Sequence, residues 1–310
     1  MRAYRTMYWA AAALSLATLA ACGDDDGGSS ADTTAAGGAT TAAGAATTAA
    51  GGGGTSAACG EIKVDPIEGF TPVKADTLTI VTSLPGPGFF NGDTPESIDS
   101  GYEYCIALAM QQAYGLKDLV IRNESFDSIV TGAVKDFDVA LSQVTITDER
   151  KQVVDFSEPY FESQQGILVA KGTEVTTLDE AKKAVWGVQS GTTGEILVRE
   201  KLKPDTEAQG FQDLAAGFAA LQAGQVEAFA MDTAIVLGEA ASSNGALDVV
   251  AQFAQEGGPD EYGALFPKGS KNVDAVNTLL KNAKDSGLLA QFQEINLTKD
   301  PGTIPTIQLP

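Results

Sequence analysis

Asp138-Val-Ala-Leu-Ser-Gln-Val-Thr-Ile-Thr-Asp-Glu-Arg-Lys-Gln-Val-Val-Asp-Phe-Ser-Glu-Pro-Tyr-Phe161 is the stretch on which the reading of the fold turns. Its first five residues read as a short buried strand, and the polar Thr145, Thr147 and Arg150 follow where that strand ends. In open α/β sheets ligands settle beyond the carboxyl ends of strands, so an Arg at that point is sited to meet a carboxylate with two parallel N–H bonds. From spacing alone, a surface ion pair of Arg150 with Asp148 or Asp155 is the plainer alternative.

Upstream, Leu78 to Thr82 reads as a first strand, followed by the Gly/Pro-rich loop Ser83 to Asp93 with Phe89 and Phe90. Gly101 to Tyr114 has helical spacing, Leu119 to Arg122 is a strand and Phe126 to Val134 a helix. The order βαβαβ predicts a parallel sheet. Downstream, a fresh α/β series begins at Leu178, with strands at Val185 to Gln189 and Val226 to Met231, and helices from Thr192, Leu214 and Thr233. Helices spanning Val273 to Asn296 close the pattern.

The 310 residues suffice for one large or two medium domains, and the formal charge of −21 argues against a nucleic-acid or anionic-membrane surface. There is no histidine. That excludes Ser-His-Asp and Cys-His catalysis and removes the commonest ligand of catalytic zinc, so neither a metal nor a cofactor is expected. The N-terminus carries Arg2 and Arg5, then an apolar run from Trp9 to Ala21 too short to span a bilayer comfortably, which reads as an export signal. Its end, Leu19-Ala20-Ala21-Cys22-Gly23, resembles a lipobox and implies lipidation of Cys22 and an anchor in the outer face of the cell membrane. Residues 23–58 hold no aromatic or large aliphatic side chain and read as a disordered stalk, spanning on the order of 30 to 35 Å.

The series Thr145-x-Thr147-x-x-Arg150, then Asp155-Phe156-Ser157-Glu158-Pro159-Tyr160, resembles the middle of the family 3 extracytoplasmic solute-binding proteins, the amino-acid receptors of ABC importers. The resemblance covers about Thr77 to Asn296. It implies a two-lobe, periplasmic-binding-protein-like (type II) α/β fold, with two hinged lobes joined by two crossover strands. Residues 59–168 and 264–310 would form lobe 1, and 169–263 lobe 2. Gly166 to Ala170 is read as the first crossing and Tyr262 to Ser270 as the return strand. The chain departs from the family pattern at Cys105, where an acidic residue is usual, at Ser142 and the bulky Gln143, where small residues are usual, and near Ile295, where a Trp is customary.

The resemblance also implies a site. Arg150 and Thr145 would hold the carboxylate of a free amino acid, together with Thr192 and Thr193 in Gln189-Ser190-Gly191-Thr192-Thr193-Gly194-Glu195, a segment that local spacing reads equally as a capping box. Asp232 would take the ammonium, although spacing alone makes it a helix N-cap, and the Ser142 and Gln143 carbonyls would complete that shell. Phe126 is a candidate aromatic wall. Its usual partner in the first loop falls near Gly86, with Phe89 or Phe90 as substitutes. Glu103 and Ser128 are possible selectors of the ligand side chain, exposure being the simpler role for each. Cys59 and Cys105 remain once Cys22 is lipidated, and an oxidising compartment favours their pairing over two reduced thiols. The partners implied are an amino acid with a polar side chain and the transmembrane subunits of a permease. Two alternatives stand beside this: a cyclohexadienyl-dehydratase-like enzyme using Glu103, and a sensor lobe serving another membrane partner.

Overall fold

The apolar runs of the sequence become two packed sheets. The computed structural model describes residues 58–255, 257–299 and 302–309. The export signal, Cys22 and the stalk as far as residue 57 lie outside the described residues. Among the described residues no helix is long and apolar enough to cross a membrane. In chain order the strands are β1 (Thr77–Thr82), β2 (Asp118–Asn123), β3 (Val139–Ala140), β4 (Val154–Phe156), β5 (Phe161–Ser163), β6 (Gln165–Ala170), β7 (Trp186–Gln189), β8 (Gln209–Phe211), β9 (Ala228–Asp232), β10 (Leu247–Ala254), β11 (Asp260–Tyr262), β12 (Leu265–Pro267) and β13 (Thr306–Gln308).

The first sheet has the order β2-β1-β3-β12-β4. β1 is buried throughout and pairs in parallel with β2 and β3, as the helical crossovers Tyr102–Ala113 and Phe126–Val130 require. β12 runs antiparallel to β3 and β4, because it returns from the second lobe without a helical crossover. The sheet is therefore mixed where the sequence pattern predicts a parallel one.

The second sheet has the order β13-β10-β6-β9-β7-β8 and packs Trp186, Val188, Phe253 and Ile307 in its core. Trp186 Nε1 donates to the Ala181 carbonyl at 2.7 Å, so the buried indole is satisfied. Two positions differ from the sequence reading. β13 pairs in parallel with β10, so the end of segment 264–310 joins the second sheet instead of the first lobe. β6 already lies in the second sheet, and the antiparallel pair of β5 with β11 marks both crossings a few residues before 168 and 264. β10 is absent from the sequence reading; the alternate apolar positions Leu247, Val249, Ala251 and Phe253 are the signal, and the ladder shifts register at Val250.

The crossings are cemented by aromatics. Phe161 and Tyr262, partners across the hinge ladder, hold their rings 5.4 Å apart, and Phe89 and Tyr102 each approach Phe161 at 5.4 Å. Each such contact contributes about 0.5 to 1.5 kcal/mol beyond area burial. Phe89 and Phe90 are thus buried in the core. Gly101, at φ +129°, makes this possible: a Cβ there would stand 2.1 Å from the Phe89 carbonyl oxygen.

Cys59 and Cys105 are joined, Cα to Cα 5.5 Å, tying the start of the folded body to the helix Tyr102–Ala113. With a sequence separation of 46, the chain-entropy treatment assigns the link about 4 kcal/mol as an upper figure. The double substitution Cys59→Ala/Cys105→Ala is expected to lower unfolding free energy by about 2 to 4 kcal/mol in urea titration; an unmoved midpoint would show that the link does not constrain the unfolded chain.

Candidate functional site

The segment after β3 forms a shelf in the first lobe. Ser142 Oγ accepts from the Ser83 N–H at 2.9 Å, fastening the shelf to the first loop. Gln143 sits at φ +51°, a region that favours glycine, and is held there by Glu103. Glu103 Oε1 accepts from the Gln143 backbone N–H at 2.9 Å and from the Tyr160 hydroxyl, while Oε2 accepts from Gln143 Nε2. Glu103 is completely buried, which corrects the exposed role the sequence suggests. Burial pushes its carboxyl up to about 7, against the pull of the bonds from Tyr160 and Gln143. Ser128 keeps a plain local role: its hydroxyl accepts from Ser125 Oγ, within the N-terminal turn of Phe126–Val130. The backbone carbonyls of Ser142 and Gln143 have no protein donor among the described residues.

Arg150 lies in the short helix Asp148–Lys151, capped by Thr147. It is 8 % exposed and forms no ion pair with Asp148 or Asp155. Instead Nη1 donates to the Thr145 carbonyl at 2.6 Å, and Nη2 reaches the second lobe to donate to the Gly191 carbonyl at 2.9 Å. Its other N–H groups have no protein acceptor among the described residues. The guanidinium stands over the Phe126 ring, 5.4 Å from the centroid. Burial lowers its pKa to about 10, opposed first by Asp232 and then by Asp260 and Glu149.

From the second lobe, Thr192 caps the helix Thr193–Ile196: its hydroxyl accepts from the Glu195 N–H at 3.1 Å and donates to the Gln189 carbonyl at 2.8 Å. Glu195 Oε2 accepts from the Gly191 N–H at 2.9 Å. Both hydroxyls of the Thr pair are engaged, since Thr193 Oγ1 donates to Asp260 Oδ2 at 3.3 Å. What this segment retains for a ligand is backbone N–H.

Asp232 precedes the helix Thr233–Ser242, yet its side chain caps nothing. It is 2 % exposed, and Oδ1 is buried without a hydrogen-bond partner. Burial, then the charge of Asp260, raises its pKa to about 8; Tyr262 and Gln165 face the carboxylate and pull the other way, but Oδ1 itself makes no hydrogen bond. Gln165 Oε1 and the Tyr262 hydroxyl are likewise buried and unpartnered. Gln165 is the ladder partner of Asp232, and Tyr262 bridges Thr145, so the orphaned atoms fall between the shelf and the second sheet. Asp260, by contrast, accepts from Gln165 Nε2 at 2.7 Å and Gln255 Nε2 at 2.8 Å. A cavity of about 560 Å³ near the hinge, lined by Gln164, Thr233, Leu237, Gln293 and Leu297 among others, contains neither Arg150 nor Asp232. Among the described residues no cluster of carboxylates or thiols could hold a metal ion.

A sequence profile describing bacterial extracellular solute-binding proteins, family 3, matches residues 90–298. The chain belongs to this family. It is 33% identical over 169 residues to the ABC transporter glutamine-binding protein GlnH of Bacillus subtilis (strain 168), covering 54% of this chain and 60% of that one. It is 31% identical over 201 residues to a probable histidine-binding protein of Neisseria gonorrhoeae, covering 62% and 74%. Its fold is similar to that of the arginine-, lysine-, histidine-binding protein ArtJ from Geobacillus stearothermophilus, with TM-score 0.62 and 28% identity over 73% of this chain and 96% of that one. The type II two-lobe architecture is thus that of the family 3 binding proteins.

Within this family 3 chain, the structure brings Arg150, Thr145, Gly191 and Phe126 into contact and places Asp232 within their electrostatic reach. Gln165 and Asp260 are absent from the sequence reading, which has Tyr262 only as the start of the return strand; Asp260 and Tyr262 lie on the hinge strand β11, and nothing in their local spacing marks them as site residues. The raised Asp232 carboxyl has a signed consequence. A carboxyl held at about 8 in the folded chain and near 4 unfolded lends stability that is complete below about pH 4 and lost as pH rises through about 8. Thermal unfolding of the ligand-free protein should therefore show Asp232→Asn more stable than the parent at pH 8 and equal to it near pH 4. A constant difference across that window would remove the assignment.

Proposed function

We propose that this protein is an extracytoplasmic amino-acid receptor of an ABC importer, which closes two lobes around an α-amino acid and delivers it to a permease. The observation that carries the reading is complementary incompleteness. Among the described residues Arg150 keeps N–H groups without acceptors, while Asp232 keeps a carboxylate oxygen without a donor; the Asp232 charge acts on the guanidinium, and no ion pair joins them. A zwitterion supplies the missing carboxylate to the first and the missing ammonium to the second. The free carbonyls of Ser142 and Gln143 add acceptors for the ammonium, and the Thr192 and Thr193 amides add donors for the carboxylate. In this reading the ligand favours closure because it meets groups from both lobes only when they are together.

The segment boundaries follow the hinge, with β5 and β11 as the crossings. Lipidation at Cys22 would hold the receptor at the membrane surface, within reach of its permease. The names of its relatives, which include glutamine, histidine and arginine binders, support an amino acid with a polar side chain. The rival enzyme reading requires an unpaired carboxylate beside the ligand at Glu103. Glu103 is instead bonded by Gln143 and Tyr160, which weighs against it.

A thermal-shift series with the free amino acids tests the receptor reading. At a hundredfold excess over Kd the cognate ligand should raise the melting temperature by roughly 5 to 10 °C. Arg150→Ala should abolish that rise while the ligand-free variant still melts cooperatively. Retention of the full shift in the variant would refute the role given to Arg150.

A further inference from the structure

We infer that Gln143, oriented by Glu103, selects amino acids whose side chains end in N–H donors and disfavours those that end in a carboxylate. This rests on the amino-acid reading above and names the ligand class within it.

The argument begins with the backbone. At φ +51° a glycine would sit without strain, yet the position carries a long amide that is 5 % exposed. Which way that amide faces is set by what lies behind it. Glu103 Oε1 already accepts two bonds, from the Gln143 backbone and from the Tyr160 hydroxyl, and Oε2 takes the Gln143 NH2 group. An ionised carboxylate only accepts, so it draws the NH2 inward and turns the amide oxygen away. Gln143 Oε1 then has no donor among the described residues, although the side chain is almost wholly buried.

Its surroundings show which loop the amide lies against. A Cβ on Gly86 would lie 3.5 Å from Gln143 Oε1 and 3.6 Å from Nε2, so the amide lies against the first loop at a residue that has no side chain of its own. There the family resemblance calls for an aromatic wall, and the chain has an amide acceptor in its place. Two residues further on, Thr145 and then Arg150 begin the carboxylate end of the site. A ligand anchored by its α-groups thus has beside it an acceptor oxygen backed by a buried carboxylate. A side-chain N–H meets that oxygen favourably. A side-chain carboxylate meets two acceptors and is repelled. Carboxamide and cationic side chains share the donor chemistry, and the titrations below separate them.

The test is isothermal titration of the full chain with glutamine, arginine, glutamate and leucine at pH 8, above the value of about 7 to which Glu103 is raised. The parent should bind glutamine or arginine at least about tenfold more tightly than glutamate or leucine, the size of one good hydrogen bond. Whichever of the first two binds better identifies the side chain as amide or cation. Gln143→Gly, compatible with the left-handed backbone, should cut the preference over glutamate by about tenfold. Glu103→Gln offers an NH2 to the Gln143 amide, allows it to turn over, and should move the ratio towards glutamate independently of the first variant. Equal affinity for glutamate or leucine in the parent, or a ratio unmoved in both variants, overturns the inference while leaving an amino-acid receptor intact. No binding by any free amino acid overturns both.

Discussion

A guanidinium taken out of water cannot shed its proton and must find acceptors for a fork of five N–H groups. Arg150 meets this constraint only in part, and the rest of the site is arranged around the shortfall. One acceptor, the Thr145 carbonyl, belongs to its own loop; the other, the Gly191 carbonyl, belongs to the opposite lobe. The same side chain therefore links the lobes and, in the proposed reading, is the group that a ligand's carboxylate would meet. Charge-assisted bonds of this kind contribute about 1.5 to 3 kcal/mol each. The bond across the cleft is thus strong enough to bias the lobes together, and weak enough that a ligand's own contacts decide how long they stay closed.

The link works because the lobes meet through parts that cannot easily yield. The site loop is stitched to the hinge by the Ile146 N–H on the Glu261 carbonyl at 2.8 Å and the Gly263 N–H on the Val144 carbonyl at 3.0 Å. Movement at the β5/β11 crossing is thereby passed to the residues that carry Thr145 and Arg150. The first loop adds a second contact, since Pro87 packs so closely on Gly238 of the opposite lobe that a Cβ there would stand 3.0 Å from its carbonyl oxygen. Closure thus sets several stiff segments together and leaves the polar groups between them as the adaptable part.

How much of this was legible in the sequence depends on how far apart the partners lie in the chain. Arg150 could be found because its strand, its threonines and the Asp155-to-Tyr160 motif are local. Asp232 could be placed at a strand end, but spacing could not distinguish a helix cap from a free carboxylate, since that depends on where its oxygens point. Glu103 looked like an ordinary acid in the first turn of a helix; its burial follows from donors 40 and 57 residues away, which no periodicity encodes. Asp260 takes bonds from Gln165 and Thr193, 95 and 67 residues distant, and its near partner Gln255 alone does not mark it in the sequence. β13 failed similarly, because a three-residue strand carries too little pattern to say which sheet it will join.

The two buried aspartates show how such long-range pairing creates function from structure. Asp260 is provided with donors from Gln165, Gln255 and Thr193. After burial, the neighbouring charge of Asp260 is one of the causes that hold the Asp232 carboxyl up. With Asp260 supplied, Asp232 is left to carry a negative charge in a dry place beside another, a state the folded protein disfavours until a cation arrives. An ammonium group would relieve the repulsion and fill the empty oxygen in one step. In the proposed reading, supplying one carboxylate with donors is what would make its neighbour receptive.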